Sequence, residues 1–268
     1  MSVIVLSTFL YAATSTKITI KGSDTMVLLA QRWAEEYGAK HTDVSLQVTG
    51  GGSGTGISAL INGTTDICNA SRPMTNSERD KLKQRFSSLG VEIKTAKDGI
   101  SLYVNESNSV DELSLKQLKD IYTGVITNWK EVGGQDSKII LYGRENSSGT
   151  YAYFRDFVLK GQDYASSVQN LPGTAAVVNA VTHDNNGIGY GGAAFGKGVK
   201  FVKVKKDDAT PGYVPDAESI KNGTYPITRY LYFYVRTRPS GPMKEFIDWV
   251  LSPEGQAITT KVGYFPVR

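Results

Sequence analysis

A chain of 268 residues is long enough for about two domains of ~150 residues each. Its 40% hydrophobic and 21% charged residues are the balance of an ordinary globular chain that buries a core. The net charge of +4 favours anionic partners, but the lysines are scattered and only "KFVKVKKDD" (Lys200–Asp208) is dense. A nucleic-acid-binding stripe is thereby excluded, and that run reads as a solvated strand edge.

In chain order, the N-terminus "MSVIVLSTFLYAATSTK" carries an apolar run from Val3 to Ala13. It is too short to span a bilayer but has the size of the apolar part of an export signal. Residues 1–16 are expected to be a signal remnant or tail, although no basic residue precedes the run and Ala13-Thr14-Ser15 is a passable cleavage site at best. "KITI" then predicts a strand, followed by a helix near Val27–Ala39. "VSLQV" is a strand leading to a helix near Gly56–Ile61. "TDICNA" is a further strand, in which Cys68, the single cysteine, reads as a buried thiol and excludes a disulfide framework. Thr75-Asn76-Ser77-Glu78 has the form of a capping box opening another helix. "VEIKTA" and "ISLYVN" follow as two strands.

From about Val110 the alternation restarts. Ser114-Leu115-Lys116-Gln117 is a second capping-box form, opening a helix that Gly124 closes. "KIILYG" predicts a buried strand. After Ser148 comes a helix with Tyr151, Phe154, Phe157 and Val158 on one face. A helix near Thr174–Val181 precedes "NNGIGYGG" (Asn185–Gly192), a turn and a glycine-rich strand. "KFVKV" and "RYLYFYVR" are strands, and "PMKEFIDWVL" and "PEGQAITTKV" are closing helices. This alternation predicts the α/β class with a mainly parallel sheet, in two lobes without a sequence repeat. The lobes are expected at 17–98 with 225–268, and at 99–224, with the chain crossing in "ISLYVN" and "TYPITRYLYFYV".

Three predicted strand-to-helix turns carry hydroxyls and glycine: "GSDTM" (Gly22–Met26), Ser53-Gly54-Thr55 and Ser148-Gly149-Thr150. The first N–H groups of a helix lack intrahelical partners and carry partial positive charge, so such turns capture anions when small residues allow close approach. A single such turn is simply an N-cap. Three in one chain, the last preceded by Arg144, predict an anion site. Nucleotide-binding fingerprints fit poorly. Ile57 stands where G-x-x-x-x-G-K-[ST] needs its lysine, and the match of Gly54–Ala59 to G-x-G-x-x-A has no acidic residue about 20 positions on. No G-x-S-x-G surrounds Ser53 or Ser148. His41 and His183 lie in polar turns far from both serines in sequence, which leaves a hydrolytic triad only formally possible. No His or Cys pairs have metal-ligand spacing, and no metal or cofactor is expected.

In that order, "GSDTM", "GGGSGTGI", "NASRPM", "GRENSSGTYAYF" and "NNGIGYGG" resemble the phosphate-binding proteins of high-affinity phosphate ABC transporters, over nearly the whole chain from Lys17 on. The resemblance implies a type II periplasmic-binding-protein fold, two α/β lobes around a cleft that holds dehydrated phosphate. It implies an exported receptor, periplasmic or extracytoplasmic, that is monomeric, is no enzyme and delivers inorganic phosphate to a membrane permease. By position it implies a hydroxyl from Thr25, a backbone amide from Met26, a donor from Ser53, the planar fork of Arg144, and Ser148, Gly149 and Thr150 from the other lobe. At Arg72 the sequence departs from well-known members of the family, which carry an aspartate that accepts from protonated phosphate and repels sulfate; shorter members have arginine there, so the change does not imply loss of function. A site made only of donors loses that discrimination, so either Asp24 supplies the acceptor or Arg72 adds charge and selectivity weakens. Asn146 likewise replaces an acidic residue that steadies the arginine, with Glu145 as its substitute. Rival readings are a receptor for sulfate, molybdate or tungstate, an extracellular phosphate-ester hydrolase, and a sensory or adhesive module.

Overall fold

The computed structural model describes residues 15–267; the apolar run Val3–Ala13 lies outside the described residues. The first lobe opens with β1 (Thr16–Gly22), α1 (Asp24–Gly38), β2 (Val44–Thr49), α2 (Ser53–Asn62) and β3 (Ile67–Ala70). Strand β1 lies parallel to β2 on one side and to β3 on the other. Helix α1 turns Met26, Leu29, Ala30, Trp33 and Tyr37 inward, the 3.6-residue spacing that lets one helix face cover a sheet. Helix α3 (Asn76–Phe86) begins at the predicted capping box: Thr75 Oγ1 accepts the Glu78 N–H at 3.2 Å, and Glu78 returns a carboxylate oxygen to the Thr75 N–H at 2.8 Å.

The segments predicted as two strands, "VEIKTA" and "ISLYVN", are one strand, β4 (Val91–Val104). The polar stretch Lys97-Asp98-Gly99 suggests a break, but Asp98 is matched in the sheet by Arg229 directly opposite. Beyond β4 come β5 (Glu112–Ser114), α4 (Leu115–Tyr122), β6 (Ile140–Arg144), α5 (Gly149–Phe157), β7 (Gln169–Leu171), α6 (Gly173–Thr182) and β8 (Gly187–Gly192). Then follow β9 (Lys200–Lys205), α7 (Ala217–Asn222), β10 (Thr228–Val235), α8 (Gly241–Val250) and α9 (Pro253–Val262). The elements β5, β7 and α7, of 3, 3 and 6 residues, have too few residues for a periodic signal and are absent from the sequence reading. The lysine-rich strand read as a solvated edge, β9, is paired along its length, Lys200–Val202 with β4 and Lys203–Lys205 with β5. Its lysines reach carboxylates, Lys200 to Asp111 at 2.6 Å and Lys205 to Glu112 at 3.3 Å.

The sheet runs β2-β1-β3-β10-β4-β8-β6-β7, with β5 and β9 off this path. Strand β6 is parallel to β7 and β8, as β1 is to β2 and β3. The two ends of the order are thus the same β-α-β-α-β unit, joined through β10 and β4, which lie antiparallel to each other. One core packs Ile20, Leu29, Trp33, Phe233 and Phe246 beneath α1 and α8, a second packs Ile57, Leu60, Cys68 and Tyr234 on the other face, and a third gathers Leu102, Ile121, Trp129, Phe154 and Tyr190. Cys68 is fully buried, and burial pushes its thiol well up from the ordinary value, so it is inert as a nucleophile. Among the described residues no helix is long and apolar enough to cross a membrane.

The second capping box closes as the spacing predicts: Ser114 Oγ accepts the Gln117 N–H at 3.3 Å and Gln117 Oε1 accepts the Ser114 N–H at 2.8 Å. Ser114 is fully buried, so Ser114→Ala leaves a helix N–H without water to replace its partner. We expect a loss of about 1–2 kcal/mol in urea unfolding; a change under ~0.3 kcal/mol would contradict this account of the cap.

Candidate anion-binding cleft

In a parallel sheet the space beyond the carboxyl ends of the strands is open to a ligand where successive connections leave in opposite directions. Here that happens twice. The chain leaves β1 toward β2 and returns past it to β3; it leaves β6 toward β7 and returns past it to β8. The residues directly after these two central strands face each other. After β1 come Ser23, Asp24 and Thr25, which start α1; at the end of β6 stands Arg144, ahead of Ser148, Gly149 and Thr150, which start α5. The N-termini of α2 and α6 complete the ring with Ser53 and Thr174. Four helix N-termini therefore converge, one more than the sequence reading counted. Thr174 carries no S-G-T signal because Pro172, not a serine, precedes Gly173-Thr174.

Arg144 is 1% exposed. Its Nη2 donates to Asp24 Oδ2 across the cleft at 3.0 Å and to Glu145 Oε1 at 3.0 Å. Nε donates to Glu145 Oε2 at 3.2 Å and Nη1 to Thr174 Oγ1 at 2.8 Å. Glu145 thus takes the steadying role that Asn146 cannot. Asp24 uses its other oxygen, Oδ1, to accept the Gly51 N–H at 2.8 Å. It partners Arg144, not Arg72.

The hydroxyls meet at the centre. Thr25 Oγ1 lies 2.9 Å from Thr150 Oγ1, and Ser53 Oγ accepts the Ser71 N–H at 3.0 Å while lying 3.3 Å from Ser71 Oγ. Thr25, Ser53, Ser71 and Thr150 are all buried. Gly149 is a matter of space: a Cβ there would stand 2.3 Å from Ser53 Oγ and 2.6 Å from Ser71 Oγ. Gly52 combines a φ of +90° with a close approach, since a Cβ would come 2.6 Å from the Ser147 carbonyl oxygen; only glycine holds such a backbone without strain. That closeness lets the Gly54 N–H donate to the Ser147 carbonyl at 2.8 Å, a further bond between the two sides. Met26 buries its side chain in the core, and its amide donates to the Ser23 carbonyl at 3.0 Å. The Ser148 hydroxyl accepts from the Thr150 and Tyr151 amides, capping its own helix.

Arg72 is placed apart. Its guanidinium is bidentate to Glu78, at 2.7 and 2.8 Å, and donates to the Pro73 carbonyl. The capping glutamate of α3 therefore also anchors the arginine. Burial alone raises the Glu78 carboxyl, but the bonds from Arg72 and Thr75 outweigh it and hold the group below its ordinary 4.5.

Two residues that the sequence reading passed over lie under the cleft. Arg229, 4% exposed, donates to Asp98 Oδ2 from Nε (3.1 Å) and Nη2 (2.7 Å), to the Ser71 carbonyl from Nη1 (3.0 Å) and to Thr150 Oγ1 from Nη2 (2.9 Å). Burial pushes the Asp98 carboxyl up, only partly offset by Arg229. Two guanidinium groups thus meet three carboxylates, those of Asp24, Glu145 and Asp98. With no excess of formal positive charge, attraction for an anion rests on helix N-termini and hydroxyl donors. His41 and His183 both lie past the C-terminal ends of helices, α1 and α6, whose N-termini face the cleft. His41 stacks on Tyr37 and His183 Nδ1 pairs with the Asn179 carbonyl, so neither reaches Ser53 or Ser148. Among the described residues no three His, Cys, Asp or Glu side chains group to hold a metal.

Residues 11–254 match the PBP superfamily domain. The phosphate-binding protein PstS of Pseudomonas aeruginosa is 32% identical over 263 residues, 92% of this chain and 81% of that protein. The PstS of Bacillus subtilis is 34% identical over 255 residues, 94% of this chain and 81% of that protein. The chain belongs to the PstS phosphate-binding protein family. A crystal structure of a family member from Clostridium perfringens, described as a phosphate ABC transporter substrate-binding protein with bound phosphate, is 33% identical. It superposes with a TM-score of 0.83 over 94% of this chain and all of that one. The type II periplasmic-binding-protein fold, with two α/β lobes around a cleft, is thus the fold of this family member too.

The Arg72–Glu78 pair carries a pH signature. A carboxyl held below its unfolded value of about 4.5 contributes stability above that pH and loses it as pH falls through the folded value. We expect Glu78→Gln to lower the Tm at pH 7 and the gap from the parent protein to close as pH falls from about 5 to 3. A gap constant over that range would show that the pair does not hold Glu78 ionised.

Proposed function

We propose that the protein binds inorganic phosphate in this cleft and hands it to the membrane permease of an ABC transporter, as an exported, monomeric receptor without enzymatic activity. The observation that carries the reading is Arg144: a buried guanidinium at the end of β6, ringed by four helix N-termini and facing buried hydroxyls from the opposite lobe. Such an array suits a small, desolvated oxyanion with acceptor oxygens in every direction. The names of its relatives point the same way, and the distance of both histidines from the serines argues against ester hydrolysis. We assign ligand contacts to Thr25, Met26, Ser53, Arg144, Ser148, Gly149 and Thr150, add Ser71, and leave Arg72 out because Glu78 occupies it. Asp24 is assigned to Arg144, as its partner across the cleft. We take the lobes as 17–98 with 225–268 and 99–224. The packing of Tyr225 and Ile227 in the second lobe's core favours moving the later crossing to Thr228. Sulfate or molybdate is the second reading, disfavoured by the carboxylates near the cleft, which repel a fully ionised anion.

Titration calorimetry on protein stripped of bound ligand should show phosphate binding at a Kd of about 1 μM or tighter, ~8 kcal/mol, without added metal. Arg144→Ala should weaken it about 100-fold or more, since the anion loses its charged partner in a desolvated site, whereas Arg72→Gln should change it less than about two-fold. Absence of heat and of thermal shift with phosphate in the parent protein would sink the proposal.

The bonds Thr25–Thr150, Asp24–Arg144 and Gly54–Ser147 all bridge the lobes, so a ligand held between them favours the closed form. Small-angle scattering should give a smaller radius of gyration with phosphate than without. Superimposable profiles would mean that the ligand does not drive closure.

A further inference from the structure

Arg229 lies outside the seven positions that the family resemblance marks, yet it touches both lobes and both crossing strands at once. It faces Asp98 in the β10–β4 ladder. This is the point where β4 changes partner: through Gly99 it pairs with β10, and from Ile100 on it pairs with β8. Any rotation of one lobe against the other turns about these residues. From there the guanidinium reaches Ser71 on the first lobe and Thr150 on the second.

These bonds also set the direction of the hydroxyls. Arginine has only donors, so Thr150 Oγ1 accepts from Arg229 and its own proton must point elsewhere, toward Thr25 Oγ1 or the cleft. The same rule holds for Ser53, whose oxygen accepts the Ser71 N–H. Arg229 Nη1 donates to the Ser71 carbonyl and so holds Ser71, and through it Ser53, in place. Two central hydroxyls, one from each lobe, are thereby left to donate, as an anion requires. Asp98, 1% exposed, neutralises the guanidinium, so the pair supplies orientation at little net charge.

We infer that Arg229 is a positioning residue of the anion site: from the pivot between the lobes it fixes Thr150 and, through Ser71, Ser53 as hydrogen-bond donors to the ligand, with Asp98 as its counter-charge. The inference rests on the phosphate-binding reading of the cleft.

The test is a double-mutant cycle read by phosphate titration, with Tm measured on each protein. Arg229→Lys keeps a charge for Asp98, but one ammonium cannot reproduce the fork that spans Asp98, Ser71 and Thr150. We expect the phosphate Kd to rise about ten-fold or more, and the same change made on Thr150→Val, where only the Ser53 arm is left to orient, to cost at least about three-fold less than in the parent protein. A merely structural role would give equal losses in both backgrounds, and that additivity would overturn the inference, as would an unchanged Kd for Arg229→Lys. If Arg229→Lys fails to fold, the neutral pair Arg229→Gln with Asp98→Asn goes through the same cycle under the same criteria. A parent protein that binds no phosphate fails differently: it removes the reading of the cleft and this inference with it.

Discussion

A guanidinium group taken out of water must be answered by charge and by acceptors for its N–H groups, because an unmatched buried charge costs several kcal/mol. Arg144 imposes that demand at the end of β6, and much of the cleft follows from it. Glu145, the next residue, supplies a carboxylate from its own side, Thr174 supplies a hydroxyl from the start of α6, and Asp24 supplies the other carboxylate from the opposite lobe. Four of its five N–H groups have partners, one of them only with the lobes together, so its desolvation and their contact are linked. Asp24 in turn is steadied by the Gly51 N–H, which ties the glycine-rich turn before α2 to the same network.

The position of that network is a consequence of topology. Each lobe contains a β-α-β-α-β unit whose first strand ends up central, so that two helix N-termini lie at its carboxyl end. Setting two such units face to face brings four N-termini to one point. Partial positive charge then accumulates with no corresponding cost in desolvating lysines. Serine, threonine and glycine are the residues that fit there: hydroxyls to donate, and no side-chain bulk where Gly149 passes within van der Waals reach of Ser53 and Ser71.

Most of this architecture is legible in the sequence because its signals are local. Periodicity, the two capping boxes and the three glycine-hydroxyl turns each lie within a dozen residues. What escapes is long-range or short. The unity of β4 depends on Asp98 being matched by Arg229, 131 residues away in sequence. From the chain alone that pair is a polar interruption in one strand and a charge at the start of another. Thr174 and Ser71 likewise become site residues only through neighbours distant in sequence. Arg72 shows the opposite hazard. It follows Ser71 directly, in a segment whose pattern places it at the ligand, yet Glu78, doubling as the capping residue of α3, binds it two-pronged and turns it away. The equivalence of the two β-α-β-α-β units is invisible at the sequence level, since the same topology is built from unrelated side chains.

Replacing an acidic residue with Arg72 would upset an electrostatically poised cleft if the arginine faced inward, but Glu78 neutralises it where it stands, and the cleft keeps a near-balance of guanidinium and carboxylate. In such a balance, long-range charge attraction contributes little to the choice of ligand. Selectivity then depends on short-range hydrogen-bond direction: which oxygens find a donor and which meet an acceptor that can only repel them. A buried carboxylate beside directed hydroxyls tolerates an anion that brings its own proton better than one that brings none. The charge balance of the cleft is therefore a property of the whole network: Asp24, Glu145 and Asp98 answer Arg144 and Arg229, and none of these bonds depends on position 72.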